Sequence, residues 1–267
     1  MATGQDGCGG GDVTGDVLQW LFDGAHWQGG EGIPLRVWQH VSYSAIAVAI
    51  AALIAVPAGL WVGHTGRGRF LAVNLAGVLR AVPSLGLLFA SLMILGPRIP
   101  GELGAHVPVQ VVLVVLAVTP ILAGAYAGVE AVDPAARDAA RGMGMRGSEV
   151  LWRVELPCAL PLIGSGIRSA VLQVVATATL AATVGLGGLG RYLIDGLAVR
   201  DYAQMAGGAL LVAALALLLD LAAATLMRLV VSPGLTGKTG RSSTAENASA
   251  TSTDPRNEGV LTEGSTR

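Results

Sequence analysis

Long apolar runs alternate with short polar breaks along this chain. Residues 39–63, 70–95, 107–127, 160–184 and 204–230 form five such runs. At about 1.5 Å per helical residue, each is long enough to cross about 30 Å of hydrocarbon. The pattern predicts an all-α, polytopic transmembrane helical bundle with five spans. Pro57 and Pro120 fall inside two of the runs and predict kinks, which spanning helices tolerate where neighbours satisfy the freed carbonyl. Residues 1–37 are Gly-rich and acidic, and in them the apolar stretch from Val17 to Phe22, with Trp27, suits either a short interfacial helix or a loose tail. From Ser232 onward the chain is rich in Ser, Thr, Gly and Asn, and disorder is expected. The expected organisation is a tail over 1–37, a membrane domain over 38–231 and a second tail over 232–267.

Composition removes the soluble alternative. Hydrophobic residues make up 52% of the chain and charged residues 13%, with a mean hydropathy of +0.61. A soluble domain carries about 25% charged residues, so this chain has too few to cover its surface in water. A net charge of −1 and a single lysine, Lys238, leave no electrostatic footprint for nucleic acid. Cys8 and Cys158 lie far apart and the four histidines are scattered, so neither a disulfide framework nor a metal site is read, and no cofactor is expected. No basic segment followed by an apolar one marks a cleavable leader, and Cys8 follows no apolar run that would suit a lipid anchor.

Charge sets the expected orientation. One face receives Arg67, Arg69, Arg137, Arg141, Arg146, Arg153, Arg228, Lys238 and Arg241; the other receives Arg36, Arg98, Arg191 and Arg200. The excess of basic residues places the 128–159 loop and the C-terminus in the cytoplasm and the N-terminus outside. Five spans require termini on opposite sides, so the count and the charge bias agree.

Two nucleotide-binding patterns fail on context. Residues 185–190 satisfy G-x-G-x-x-G, but a membrane span precedes them where a strand is needed and no acid follows at the required distance. A turn that lets the backbone pack closely is the better reading. Gly237-Lys238-Thr239 resembles the end of a P-loop, but Ser232 stands where its first glycine belongs and no strand leads into it. The chain therefore offers no ATP site of its own. Energy for any pumping must come from another subunit or from an ion gradient.

The 128–159 loop carries the strongest local signals. Asp133-Pro134 is a helix start, a capping carboxylate followed by a residue with no amide donor. Ala135 to Arg141 favours helix, and the Gly142 and Gly144 pair ends it. A second short helix is expected over Ser148–Val154, stopping before Pro157.

In this loop Asp138-Ala139-Ala140, three residues, Gly144, nine residues, then Val154-Glu155-Leu156-Pro157 resembles the EAA motif of ABC importer permeases, with Asp for Glu and Val for Ile. The resemblance implies that Asp138, Ala139, Ala140, Gly144, Val154, Leu156 and Pro157 belong to a coupling helix docked on a cytoplasmic ATP-binding subunit. Ala139 and Ala140 would offer a small-residue docking face, with Arg137, Asp138 and Arg141 able to pair across it. Segments 80–88 and 177–192 resemble the glycine betaine, carnitine and choline branch of the family, the osmoprotectant importers. This implies an extracytoplasmic solute-binding protein and a second permease subunit, identical or similar, in the same bilayer. A permease for methionine or another amino acid is the nearer alternative; a gradient-driven secondary transporter is the alternative of a different class.

Polar residues inside the runs mark a candidate translocation path. Arg80, Arg168 and Asp220 lie within spans, where ionisable groups are costly and face the bundle interior or water. Asp220 is expected to pair with Arg80 or Arg168, although a span beginning near Pro83 would let Arg80 reach the cytoplasmic interface. Ser165, Ser169, Gln173 and Thr177 recur every four residues and share one face of the fourth span, which suits either a polar path or helix packing. Aromatic residues are only 4% of the chain, and no cage for a quaternary ammonium group is visible in the spans.

Overall fold

The computed structural model describes residues 13–230 apart from 71–73, 75–76 and 79–81. Its elements are helices: α1 (Val13–Phe22), α2 (Ile33–Thr65), α3 (Ser84–Leu95), α4 (Leu103–Glu130), α5 (Pro134–Gly142), α6 (Gly147–Val150), α7 (Leu156–Ala178), α8 (Gly190–Val199) and α9 (Tyr202–Val230). A π-helical turn, Leu151–Glu155, joins α6 to α7, and a 3₁₀ turn, Thr179–Val184, extends α7. The expected tail from Ser232 and the expected position of Arg80 lie outside the described residues.

Among the described residues, four helices are long and apolar enough to cross a membrane: Ile33–Thr65, Leu103–Glu130, the continuous Gly147–Val184 and Tyr202–Leu229. The expected span over 70–95 is not one helix. Val82 and Pro83 are non-helical and Pro83 is extended, with ψ 120°. Proline disfavours helical geometry in the residue before it, which places the break here. The helix that follows, α3, has 12 residues, about 18 Å, and does not cross the hydrocarbon alone.

α4 occupies the centre, packed between α2 and α7. The contact depends on small residues at four-residue spacing. Ala47, Ala51 and Ala55 of α2 are fully buried and share the core with Leu113, Ala117 and Ile121 of α4 and Ala170, Val174 and Ala178 of α7. Toward the 128–159 end, glycines replace the alanines. A Cβ on Gly59 would lie 2.6 Å from the Ala125 Cβ, and one on Gly63 would lie 2.7 Å from the Val129 Cβ. Across the other face of α4, a Cβ on Gly124 would lie 2.6 Å from the Leu162 carbonyl oxygen, and one on Gly128 2.9 Å from Ala159. Membrane helices lack a hydrophobic drive to associate, so close backbone approach through such residues supplies the packing.

At the opposite end, the 185–190 segment is a tight turn against α2. Gly188 takes φ +96° and its N–H donates to Gln39 Oε1 at 2.9 Å. A Cβ on Gly190 would fall 2.1 Å from the Thr179 carbonyl oxygen. The close-packing reading of this glycine run therefore holds. His40, fully buried beside it, donates from Nε2 to the Val175 carbonyl at 2.9 Å and ties α2 to α7.

The N-terminal aromatic stretch is helical and docked. Val17 and Trp20 of α1 are buried, and Trp20 packs with Ile33, Leu189, Tyr192 and Leu215. α8 is an element the hydropathy pattern hides, being short and flanked by a glycine turn and by Asp201. The Asp201 side chain caps α9 by accepting from Gln204 N at 2.9 Å.

A Gly166→Val variant tests the packing account. A Cβ at Gly166 would lie 2.6 Å from the Pro120 carbonyl oxygen, backbone that cannot yield. Overpacking of this kind costs about 1–3 kcal/mol, so the detergent melting temperature should fall. Gly86→Ala, whose nearest neighbour would be the Pro83 Cβ at 3.8 Å, should leave it unchanged or raise it. Equal melting temperatures for Gly166→Val and wild type would refute the account.

Candidate functional site

The 128–159 loop folds from its own local signals. Asp133 caps α5 by accepting from Ala135 N at 2.9 Å, with Pro134 in the first turn. The helix ends in a Schellman motif: Gly144 N–H donates to Arg141 O at 2.9 Å and Met145 N–H to Ala140 O at 3.2 Å. Gly144 is the residue that takes the left-handed conformation, φ +86°, whereas Gly142 stays helical. α6 then opens with Glu149 accepting from the Arg146 backbone N–H at 2.8 Å, half of a capping box.

The expected stop before Pro157 does not occur. The chain continues through the π turn, in which Leu156 N–H reaches back to Leu151 O, and Pro157 enters the first turn of α7. Proline lacks a donor and its ring crowds the carbonyl four residues earlier. The wider π turn relieves both constraints, and the helix runs on unbroken.

The loop residues divide into two sets. Asp138, Ala139 and Gly144 are exposed, and Asp138 pairs loosely with Arg141 at 3.6 Å. Met143 is 72% exposed beside them. Ala140 corrects the expectation of a two-alanine docking face, because it is only 2% exposed. A nine-residue helix closed back on its successor must bury one side, and Ala140 is on that side. Val154, Leu156 and Pro157 are half-buried, and Leu156 packs against the cluster of Leu60, Ala125, Val129, Ala159 and Ile163.

Arg137 also turns inward rather than across a contact. It donates from a terminal nitrogen to the Val129 carbonyl, and its Nε stands 2.9 Å from Glu155 Oε1, off the line of its N–H, as an ion pair. Glu155 is 1% exposed, and its Oε2 accepts from His64 Nδ1 at 2.6 Å. Sequence reasoning passed over Glu155 and His64, which lie 91 residues apart. The available signal was one acid in an apolar segment that must find a cation.

Within the spans, Asp220 pairs with Arg168, but on the outer side of this chain's bundle and not in its interior, since the Arg168 side chain is 47% exposed. The guanidinium grips the carboxylate at both oxygens, with Arg168 Nη2 to Asp220 Oδ2 at 2.5 Å. Arg168 is about 18 Å from the start of α7 and Asp220 about 15 Å from the end of α9, at 1.5 Å per residue. The two antiparallel helices thus bring opposite charges to one depth. Such bidentate pairs are the strong form of charge-assisted bonding.

The four-residue stripe on α7 does not line one channel within this chain. Ser165 and Ser169 are exposed and open onto a shallow depression of about 250 Å³ with Pro120, Gly124, Leu162 and Gly166. Gln173 and Thr177 are half-buried, and the Thr177 hydroxyl donates to the Gln173 carbonyl at 2.7 Å. A second cavity of about 250 Å³ lies at the opposite end among α1, α2, α8 and α9. Its two arginines are paired, Arg36 with Glu31 at 3.2 Å and Arg191 with Asp195 at 2.9 Å. Trp20 is buried, with its ring stacked on His26 at 4.5 Å and close against Gly207.

Residues 55–233 match the family described as binding-protein-dependent transport system inner membrane component. This chain belongs to that family. It is accordingly a multi-pass membrane permease of the ABC importer type. It is 33% identical over 209 residues to the glycine betaine/carnitine/choline transport system permease protein OpuCB of Bacillus subtilis (strain 168), covering 78% of this chain and 93% of the relative. It is 31% identical to the osmoprotectant import permease protein OsmW of Salmonella typhimurium, covering 77% and 92%. In fold it is similar to a chain of an inward-facing MetNI methionine ABC transporter, with TM-score 0.65 and 20% identity over 80% of this chain and 98% of that one.

Asp220→Asn tests the intramembrane pair. It leaves Arg168 without its counter-charge, so yield and detergent stability of the permease should fall. An Arg168→Leu/Asp220→Leu double variant removes both charges and should recover most of the loss. Equal stability of wild type and Asp220→Asn would refute a structural role for the pair.

Proposed function

We propose that this permease forms half of the translocation path of an ATP-driven importer for quaternary ammonium osmoprotectants such as glycine betaine, carnitine or choline. The 128–159 loop is cytoplasmic and docks an ATP-binding subunit through the exposed side of α5, the side of Asp138, Ala139, Arg141 and Met143. The N-terminus is outside and the C-terminus inside. An extracytoplasmic binding protein delivers the solute, and a second permease, identical or similar, completes the path. ATP is hydrolysed in the partner and not in this chain.

The Schellman-capped α5 carries this reading. It presents a rigid, small-residue and charged surface at the end where the basic residues gather, held by a cap that leaves its outer side clear. The open depression at Ser165 and Ser169 favours a path lying between this face and another subunit. The names of the relatives support the solute class. The low aromatic content, 4% of the chain, agrees with selection by the binding protein. ATP binding then biases one of two packings of the paired permeases.

The test is recovery of the complex from native membranes in mild detergent, with partners identified by mass spectrometry. Wild type should bring down an ATP-binding subunit. Ala139→Glu and Met143→Glu, both on exposed positions, should reduce that recovery about tenfold, equivalent to about 1.4 kcal/mol, while the permease stays folded. Absence of any ATP-binding subunit after cross-linking would overturn the proposal. Competition of radiolabelled glycine betaine uptake by choline and carnitine, with methionine inert, is the result expected for the solute class; competition by methionine alone would reassign it.

A further inference from the structure

We infer that Glu155 is a positioning residue for transport, the joint through which movement of the docking helix α5 reaches the spanning helices; this rests on the proposed docking of α5 on an ATP-binding subunit. The carboxylate joins three elements. Its Oε1 faces Arg137 of α5 at 2.9 Å and its Oε2 accepts from His64, in the last turn of α2, at 2.6 Å. Glu155 itself closes the π turn that leads into α7. Arg137 adds a fourth tie by donating to the Val129 carbonyl, one residue before the end of α4. The helices that form the packed centre of the bundle, α2, α4 and α7, therefore all connect to α5 through one buried carboxylate and one arginine.

The rest of α5 has little hold on the bundle. Its outer side is exposed, and its buried side chain is a methyl group, that of Ala140. A force applied to α5 passes to the bundle through its backbone ends and through Arg137. Glu155 is 1% exposed and the Arg137 and His64 side chains 21%, so removing either partner leaves a buried carboxylate short of its counter-charge. The π turn beneath Glu155 is the natural place for the chain to give, since it interrupts the α-helical ladder and helices bend at such turns. A buried tie above a compliant turn converts a shift of α5 into a coupled shift of α2 and α7.

A joint and a passive clamp differ in what they do to coupling. The full complex, with its ATP-binding and solute-binding partners, is reconstituted in liposomes. ATP hydrolysed per molecule of solute accumulated is measured per assembled complex, using whichever of radiolabelled glycine betaine, choline or carnitine the wild type accumulates. In Arg137→Met/Glu155→Met the ion pair is replaced by apolar side chains of similar length, which buried sites tolerate. The double variant should assemble and hydrolyse ATP, yet the ATP used per solute should rise at least about fivefold, the low end of ordinary allosteric coupling. His64→Leu, which cuts the link to α2 and leaves Glu155 paired with Arg137, should raise it too, and His64→Gln, which keeps a donor, should restore it toward wild type. Should the double variant fail to assemble, the His64 pair decides alone. A wild-type ratio in assembled Arg137→Met/Glu155→Met, or in His64→Leu where the double variant is lost, overturns the joint. Absence of ATP-driven uptake by the wild-type complex overturns the functional reading instead.

Discussion

The structure depends on the approach of three backbones. Along both sides of α4, alanine and glycine replace the large side chains that would separate it from α2 and α7. In lipid no hydrophobic gain draws apolar helices together, so this proximity, with its dispersion contacts, holds them. The glycines gather at the 128–159 end, where Gly59, Gly63, Gly124 and Gly128 each leave less than 3 Å for an added carbon. The ends of α2 and α4 and the start of α7 are thereby brought close enough for one buried carboxylate and its arginine to bridge them. Polar chemistry at this end follows from the absence of side chains just above it.

What the chain revealed in advance was chiefly local. A capping acid before a proline and a glycine needing positive φ act within a few residues, and α5 begins and ends where Asp133 and Gly144 place it. Hydropathy marked the spans but was blind to continuity. It merged α3 with the segment before Pro83, although the proline responsible was in view. Pro157 misled in the opposite sense, since a proline is a stop in an α-helix but not where a π turn widens the register. Helix α8 escaped because ten residues with two charges do not stand out from a loop.

Long-range pairing was legible only as a demand for partners. Asp220 at mid-membrane depth had to meet a cation and two were available; the antiparallel arrangement of α7 and α9 selects Arg168. Glu155 gave less warning, because it sits in a segment whose neighbours matched a docking motif. Its partner His64 reads as the polar end of a span. Arg137 and Ala140 show the limit of motif reasoning: spacing identified the helix but did not say which of its residues face outward.

Helix α9 stands apart from the packed centre. Almost none of its apolar stretch is buried by protein; it leans on Trp20 of α1, on α8, on the Gly164–Met227 contact and on the Arg168–Asp220 pair. The helix runs for 28 residues, about 42 Å, enough to cross the hydrocarbon and both headgroup layers. With little of this chain packed around it, its tilt responds to the thickness of the lipid. Bilayer thickness thus acts directly on this helix, and through Asp220 it pulls on α7 at the depth of Arg168.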